Sequence, residues 1–125
     1  MVKTSYYVGS IKKDANEGNH RGWIVGTFME ELPRKTEALE IRYWDFKVGE
    51  DTKHPTKMSG TIECTFILKG KTRAFIGSEE VILKEGDYVV IEPGTPNNLI
   101  AEILEDTIGL TVKAPSDPSA KTVLG

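Results

Sequence analysis

The sequence, 125 residues long, predicts an all-β fold, a small barrel or sandwich of short strands. Three features carry that expectation. From Thr61 onward, β-branched and aromatic residues recur in short runs with the composition of half-buried strands. Glycine, proline and aspartate punctuate those runs, at Lys69-Gly70, at Glu85-Gly86-Asp87 and at Pro93-Gly94-Thr95-Pro96. No segment sustains a helical period: Leu99 to Leu104 comes nearest, and it is too short and runs into Glu105-Asp106-Thr107.

The N-terminal third is the least patterned. Residues 11 to 21, Ile-Lys-Lys-Asp-Ala-Asn-Glu-Gly-Asn-His-Arg, are polar and carry turn formers, so they are expected to link an N-terminal strand to a second one at Trp23 to Met29, with His20 in solvent. Pro33 excludes a central strand between Glu31 and Glu37, and Pro33-Arg34-Lys35 reads as a solvated loop. The next strand is expected over Leu39 to Val48, after which Gly49-Glu50-Asp51 turns the chain. Further strands follow at Thr61 to Leu68, Thr72 to Ile76, Glu80 to Leu83, Tyr88 to Ile91, Leu99 to Leu104 and Ile108 to Val112. From Ala114 the tail carries two prolines among small polar residues, which drape over the barrel or fray. The expectation is one domain over 1–125: strands and loops over 1–38, a barrel core over 39–113 and a tail over 114–125.

Composition narrows the function classes. With 38% hydrophobic and 28% charged residues, the chain reads as a soluble globular protein large enough to bury one core. A net charge of -3 offers no electrostatic footprint for nucleic acid. Cys64, the one cysteine, has no internal disulfide partner, and Met-Val-Lys-Thr-Ser-Tyr-Tyr lacks the apolar segment of a secretory signal, so a cytoplasmic location is expected. No apolar run approaches the roughly 20 residues of a membrane helix, so no membrane partner is expected. Phosphate-binding glycine loops, paired-cysteine motifs, Gly-x-Ser-x-Gly elbows and glycosylation acceptors are all missing.

The spacing of residues 63 to 101 resembles the cupin superfamily, whose two motifs are G(X)5HXH(X)3-4E(X)6G and G(X)5PXG(X)2H(X)3N. Glu63 and Gly70 match the end of the first motif, and Gly86 with Pro93, Gly94, Thr95 and Pro96 matches the start of the second. The paired histidines of the first motif then fall on Lys57 and Ser59 or on Thr56 and Met58, and the histidine of the second falls on Asn97. Its proline falls on Glu92 and its final asparagine on Ala101. The resemblance covers about residues 39 to 113 and implies a double-stranded β-helix, or jelly-roll barrel, with Glu63 facing inward and the usual three-histidine metal site incomplete.

Strand side chains alternate, so an inward Glu63 brings Thr61, Thr65 and Ile67 inward with it and turns Cys64, Phe66 and Leu68 outward. That outward row is too apolar for open water, and the resemblance implies that a homodimer covers it. Leu39 to Val48 presents Arg42, Trp44, Phe46 and Val48 on one face and Ile41, Tyr43 and Asp45 on the other, and the sequence does not choose between the two registers.

A carboxylate facing a barrel interior needs a cation, a donor or a metal beside it. Lys57 or Arg73 is expected to supply the charge, and Arg42, Trp44 and Asn97 are the further candidates for ligand contact. The expected activity is binding of a small polar organic ligand, a sugar or organic acid, in the cavity, with no cofactor. One alternative is a metal-independent isomerase, epimerase or lyase that uses Glu63 as acid or base with Tyr43 or Tyr88 as its partner. Another is weak dependence on a divalent metal held by His54 and Glu63.

Overall fold

A computed structural model describes residues 6–16 and 21–124 of the chain; His20 lies outside them. The architecture is a single strongly curled antiparallel sheet of eight strands. Its elements are α1 (Ile11–Asn16), β1 (Trp23–Val25), β2 (Glu40–Phe46), β3 (Lys57–Ser59), β4 (Ile62–Ile76), β5 (Glu79–Lys84), β6 (Tyr88–Ile91), β7 (Asn97–Ala114), a 3-10 turn at Pro118–Ala120 and β8 (Lys121–Val123).

Two long strands organise the sheet. β4 and β7 pair along most of their lengths, from Ile62 opposite Ala114 to Ile76 opposite Asn97. Each absorbs two of the expected short strands, because a bend inside a continuous ladder replaces the expected breaks near Gly70 and Glu105. Gly70 takes a φ of 92°, and a Cβ there would collide with the Asp106 carbonyl and the Thr107 side chain, so only glycine passes this close crossing. The register shifts on both sides of the bend curl the sheet around its apolar face. β2 and β6 then extend the ladder beside one half of the long pair, and β5 beside the other.

The concave face carries the core: Trp44, Ile67, Ala74, Leu83, Ile91, Leu99, Ile100 and Ile103, with Phe46, Ile76, Val81 and Val89 packed against it. β4 alternates as expected, with Thr61, Glu63, Thr65 and Ile67 buried and Phe66 and Leu68 exposed. In β2 the register left open in sequence is decided, since Glu40 and Trp44 are buried and Asp45 is exposed.

The N-terminal third departs from expectation. Residues 6–10 form no strand, and residues 11–16, expected as a polar connection, form the short helix α1. Arg34, expected in a solvated loop, is buried: its guanidinium donates to the Ile24 carbonyl, the Tyr7 hydroxyl, Glu31 and Asp14 at 2.8–3.4 Å. Those partners satisfy a charge that could not otherwise leave water. The tail drapes: β8 pairs with β3, a strand the sequence did not announce, and places Lys121 opposite Ser59.

Candidate functional site

A cavity of about 70 Å³ opens on the concave face between β2, β3, β4 and β7. Its walls are Trp23, Trp44, Leu99, Ile100 and Thr111, and its charged groups are Arg42, Lys57, Glu63, Lys113 and Lys121, with His54 at its edge. A wider cleft of about 490 Å³ adjoins it and shares Trp23, Arg42, Lys113 and Lys121.

Local structure explains each placement. Trp44 is inward on β2 because its Nε1 donates to Thr111 Oγ1 at 3.0 Å, and Thr111 in turn meets Thr65 Oγ1 at 2.9 Å. Its indole lies over Gly109, opposite it in β7, where any Cβ would collide with the ring. Arg42, two residues before it on the same face, lies with its guanidinium 5.9 Å from the Trp23 ring centroid.

At the centre is a buried charge cluster. Glu63 is 2% exposed, Lys57 5% and Lys113 8%. Lys57 Nζ donates to Glu63 Oε1 at 2.8 Å and to Asn97 Oδ1 at 3.3 Å, while Asn97 Nδ2 donates to the Thr95 carbonyl. Lys113 Nζ approaches the same Glu63 oxygen, at 3.7 Å. Lys113 sits in register between Glu40 of β2 and Glu63 of β4, and Glu40 is engaged by the Ser116 hydroxyl at 3.1 Å.

Burial lowers the Lys113 pKa, and the Lys57 charge adds to it against the opposing pull of Glu63 and Glu40. Burial, followed by the charges of Arg42, Lys121 and Lys57, pushes the His54 imidazole down to about 4, so it is neutral at pH 7. Arg42 is lowered by burial and by Arg21. Among the described residues two buried side-chain atoms find no partner, Arg42 Nε and His54 Nδ1, and both residues line this cavity.

Of the residues expected from sequence, the structure brings Glu63, Lys57, Arg42, Trp44 and His54 together. It does not bring Tyr88, Tyr43 or Arg73 to them. Tyr88 is 68% exposed on the convex face, where its ring meets Phe66, because it alternates with the inward Val89 and Ile91. Tyr43 is turned from the cavity by the same alternation that turns Trp44 in. Neither tyrosine is placed to exchange a proton with Glu63. Arg73 is held instead at the sheet surface by Glu80 at 2.7 Å and Glu102 at 2.9 Å, and the hydrogen bond it donates to Glu80 is the main cause of its raised pKa. Asn97 is buried behind Lys57 and orients that ammonium without lining the cavity.

Sequence reasoning missed Lys113 and Lys121. For Lys113 the signal was present: carrying the alternation of Thr107, Gly109 and Thr111 one residue past the expected strand end reaches it. For Lys121 there was none, because only the pairing of the tail with β3 brings it in.

The donor set does not fit a cupin-type metal. Among the described residues no three His, Cys, Asp or Glu side chains converge. The Glu63 carboxylate is occupied by one ammonium and faced by a second, and both repel a cation from the only acidic group that lines the cavity among the described residues.

Among the described residues no helix is long and apolar enough to cross a membrane. The model of the cupin domain family matches residues 42–111. Among solved structures the chain is similar to the DMSP lyase DddQ of Ruegeria pomeroyi DSS-3, with 19% identity and a TM-score of 0.59 over 70% of this chain and 44% of that one. It is similar to a salicylate 1,2-dioxygenase from Pseudaminobacter salicylatoxidans, with 13% identity and a TM-score of 0.59 over 70% of this chain and 25% of that one. A third likeness is an RmlC-like cupin family protein from Methanocaldococcus jannaschii, with 22% identity and a TM-score of 0.57 over 65% of this chain and 73% of that one. The chain thus spans less than half the length of the lyase and a quarter of the dioxygenase, and identities this low carry the fold alone. No curated protein matches. The family match extends over more than half of the 125 residues and coincides with the curled sheet and its inward Glu63, and the chain belongs to the cupin family.

Proposed function

We propose that the protein binds a small organic anion, a carboxylate, in the cavity between β2, β4 and β7. The observation that carries this reading is the charge count at one site: Arg42, Lys57, Lys113 and Lys121 surround a single lining carboxylate, Glu63. Lys57 and Lys113 share Glu63, so Arg42 and Lys121 have no lining counter-charge among the described residues, and Arg42 Nε is buried without an acceptor. Leaving such donors unpaired in a site walled by two tryptophans costs free energy that a bound anion recovers.

Charge also separates the two ligand classes expected from sequence. A neutral sugar offers hydroxyls and no counter-charge. The inner volume, about half that of a 150 Å³ cavity known to hold benzene, admits a short acid or the acidic head of a longer one whose body lies in the adjoining cleft.

The test is a thermal-shift and calorimetric panel that sets small carboxylates against neutral sugars. A carboxylate that binds only the folded state raises stability by about 2.7 kcal/mol at 100 times its Kd. Stabilisation by sugars alone, or by neither class, rejects the reading.

We also propose a homodimer through the convex face, where Cys64, Phe66, Tyr88, Val90, Leu110 and Val112 lie on adjoining strands without a charge among them.

A further inference from the structure

We infer that the cavity takes a 2-oxo acid and that Lys113 captures its keto carbon as a Schiff base, an inference that rests on the organic-anion reading of the same cavity. Lys57 and Lys113 share one oxygen of Glu63 and are not equivalent. Lys57 is fully engaged, by Glu63 at 2.8 Å and Asn97 at 3.3 Å. Lys113 Nζ stands 3.7 Å from that oxygen, beyond hydrogen-bond reach, makes no hydrogen bond among the described residues and borders the cavity. A desolvated lysine beside a second cation is the arrangement that releases a nucleophilic amine near neutral pH, and burial together with Lys57 lowers the Lys113 pKa.

The rest of the site suits the chemistry. Arg42 lines the cavity and offers its guanidinium to the carboxylate of the acid, which leaves the neighbouring keto group to Lys113. In the step itself, Lys113 in its amine form gives its nitrogen pair to the keto carbon. The carbonyl π pair passes to oxygen, which takes up the two amine protons in turn and departs as water while the C=N bond forms. Amine and ketone become imine and water, with no oxidant or reductant consumed. The apolar walls Trp44, Leu99 and Ile100 hold bulk water away from the imine.

Incubation of the whole protein with pyruvate and cyanoborohydride, followed by intact-mass measurement and peptide mapping, tests this. The expected result is one reduced pyruvate unit per chain, on Lys113, at about tenfold or more the level on any exposed lysine, because the amine fraction at neutral pH grows as the pKa falls. Lys113→Arg keeps the charge and abolishes that label; the wild-type peptide map decides the question even if the variant fails to fold. Lactate, which has the same carboxylate and no keto group, is the second probe, followed by ligand-detected NMR. If both acids bind and label is spread over surface lysines, the Schiff base is overturned and the anion reading stands. If neither acid binds and Lys113 stays unlabelled, both are overturned.

Discussion

Lys57 Nζ lies 2.8 Å from Glu63 Oε1 and 3.3 Å from Asn97 Oδ1, so one buried ammonium joins the inward carboxylate to the amide on β7. An ammonium on β3 supplies the positive charge that the buried carboxylate requires, and the Asn97 amide oxygen accepts from it.

Glu63→Gln leaves Lys57 and Lys113 buried without their shared anion. Breaking a buried pair from one side costs about 3–5 kcal/mol. Urea denaturation is expected to show a loss of that size. Glu63→Gln combined with Lys57→Met removes both charges and is expected to recover part of it; a double variant no more stable than the single one contradicts the pairing.

Stability is expected to fall between pH 6.5 and about pH 4 through His54. Its pKa drops from 6.5 to about 4 on folding, so across that interval the unfolded chain binds more protons and stability rises with pH. Below the window the imidazolium must enter a site faced by Arg42, Lys121 and Lys57, with Glu63 alone opposing them. After allowance for solvent screening the effect is about 2 kcal/mol. Thermal unfolding of wild type and His54→Gln across this range checks it, and parallel curves reject it.

Arg42→Met is expected to weaken carboxylate binding by about 1.5–3 kcal/mol, roughly ten- to hundredfold in Kd, as a lost hydrogen bond to a charged group does. Arg42→Lys is not expected to rescue it, since the unpartnered Nε belongs to the planar guanidinium. Calorimetry with whichever acid the panel identifies reads both variants.

Phe66→Lys places a charge at the centre of the convex face, where Phe66 pairs with Tyr88 on one side and Leu110 on the other. Light scattering after size exclusion is expected to report a dimer for wild type and a monomer for the variant. An unchanged mass for both proteins removes this face from the interface.

Gly109→Ala forces a methyl group into the Trp44 indole, which cannot retreat without releasing Thr111. Overpacking of this kind costs about 1–3 kcal/mol. Tryptophan fluorescence is expected to shift together with the denaturation midpoint; wild-type stability would show that Trp44 has room the structure does not give it.

The legible parts of the chain were those governed by local rules. Alternation in β4 correctly faced Glu63 and Thr65 inward and Phe66 outward, because strand side chains obey a period of two whatever surrounds them. The same rule decided against Tyr88 once its partner strand was known, and decided for Arg42 and Trp44 once β2 was seated on β7. Helix α1 was not legible, since six residues, with only Ile11 and Ala15 apolar, are too few to sustain a helical period. Gly70 and the Glu105 region looked like chain reversals, because a glycine that turns a chain and a glycine that lets two long strands cross closely share one local signature.

By itself the sequence determined an all-β cupin framework and an acidic side chain inside it, for the spacing of Glu63, Gly70, Gly86 and Gly94 is a property of neighbours along the chain. Only the tertiary structure decided which charges meet that acid. Lys57 arrives from β3, and Lys113 and Lys121 from β7 and β8 at the far end of the chain, and the electrostatics of a site depend on distance through space, which long-range pairing alone establishes.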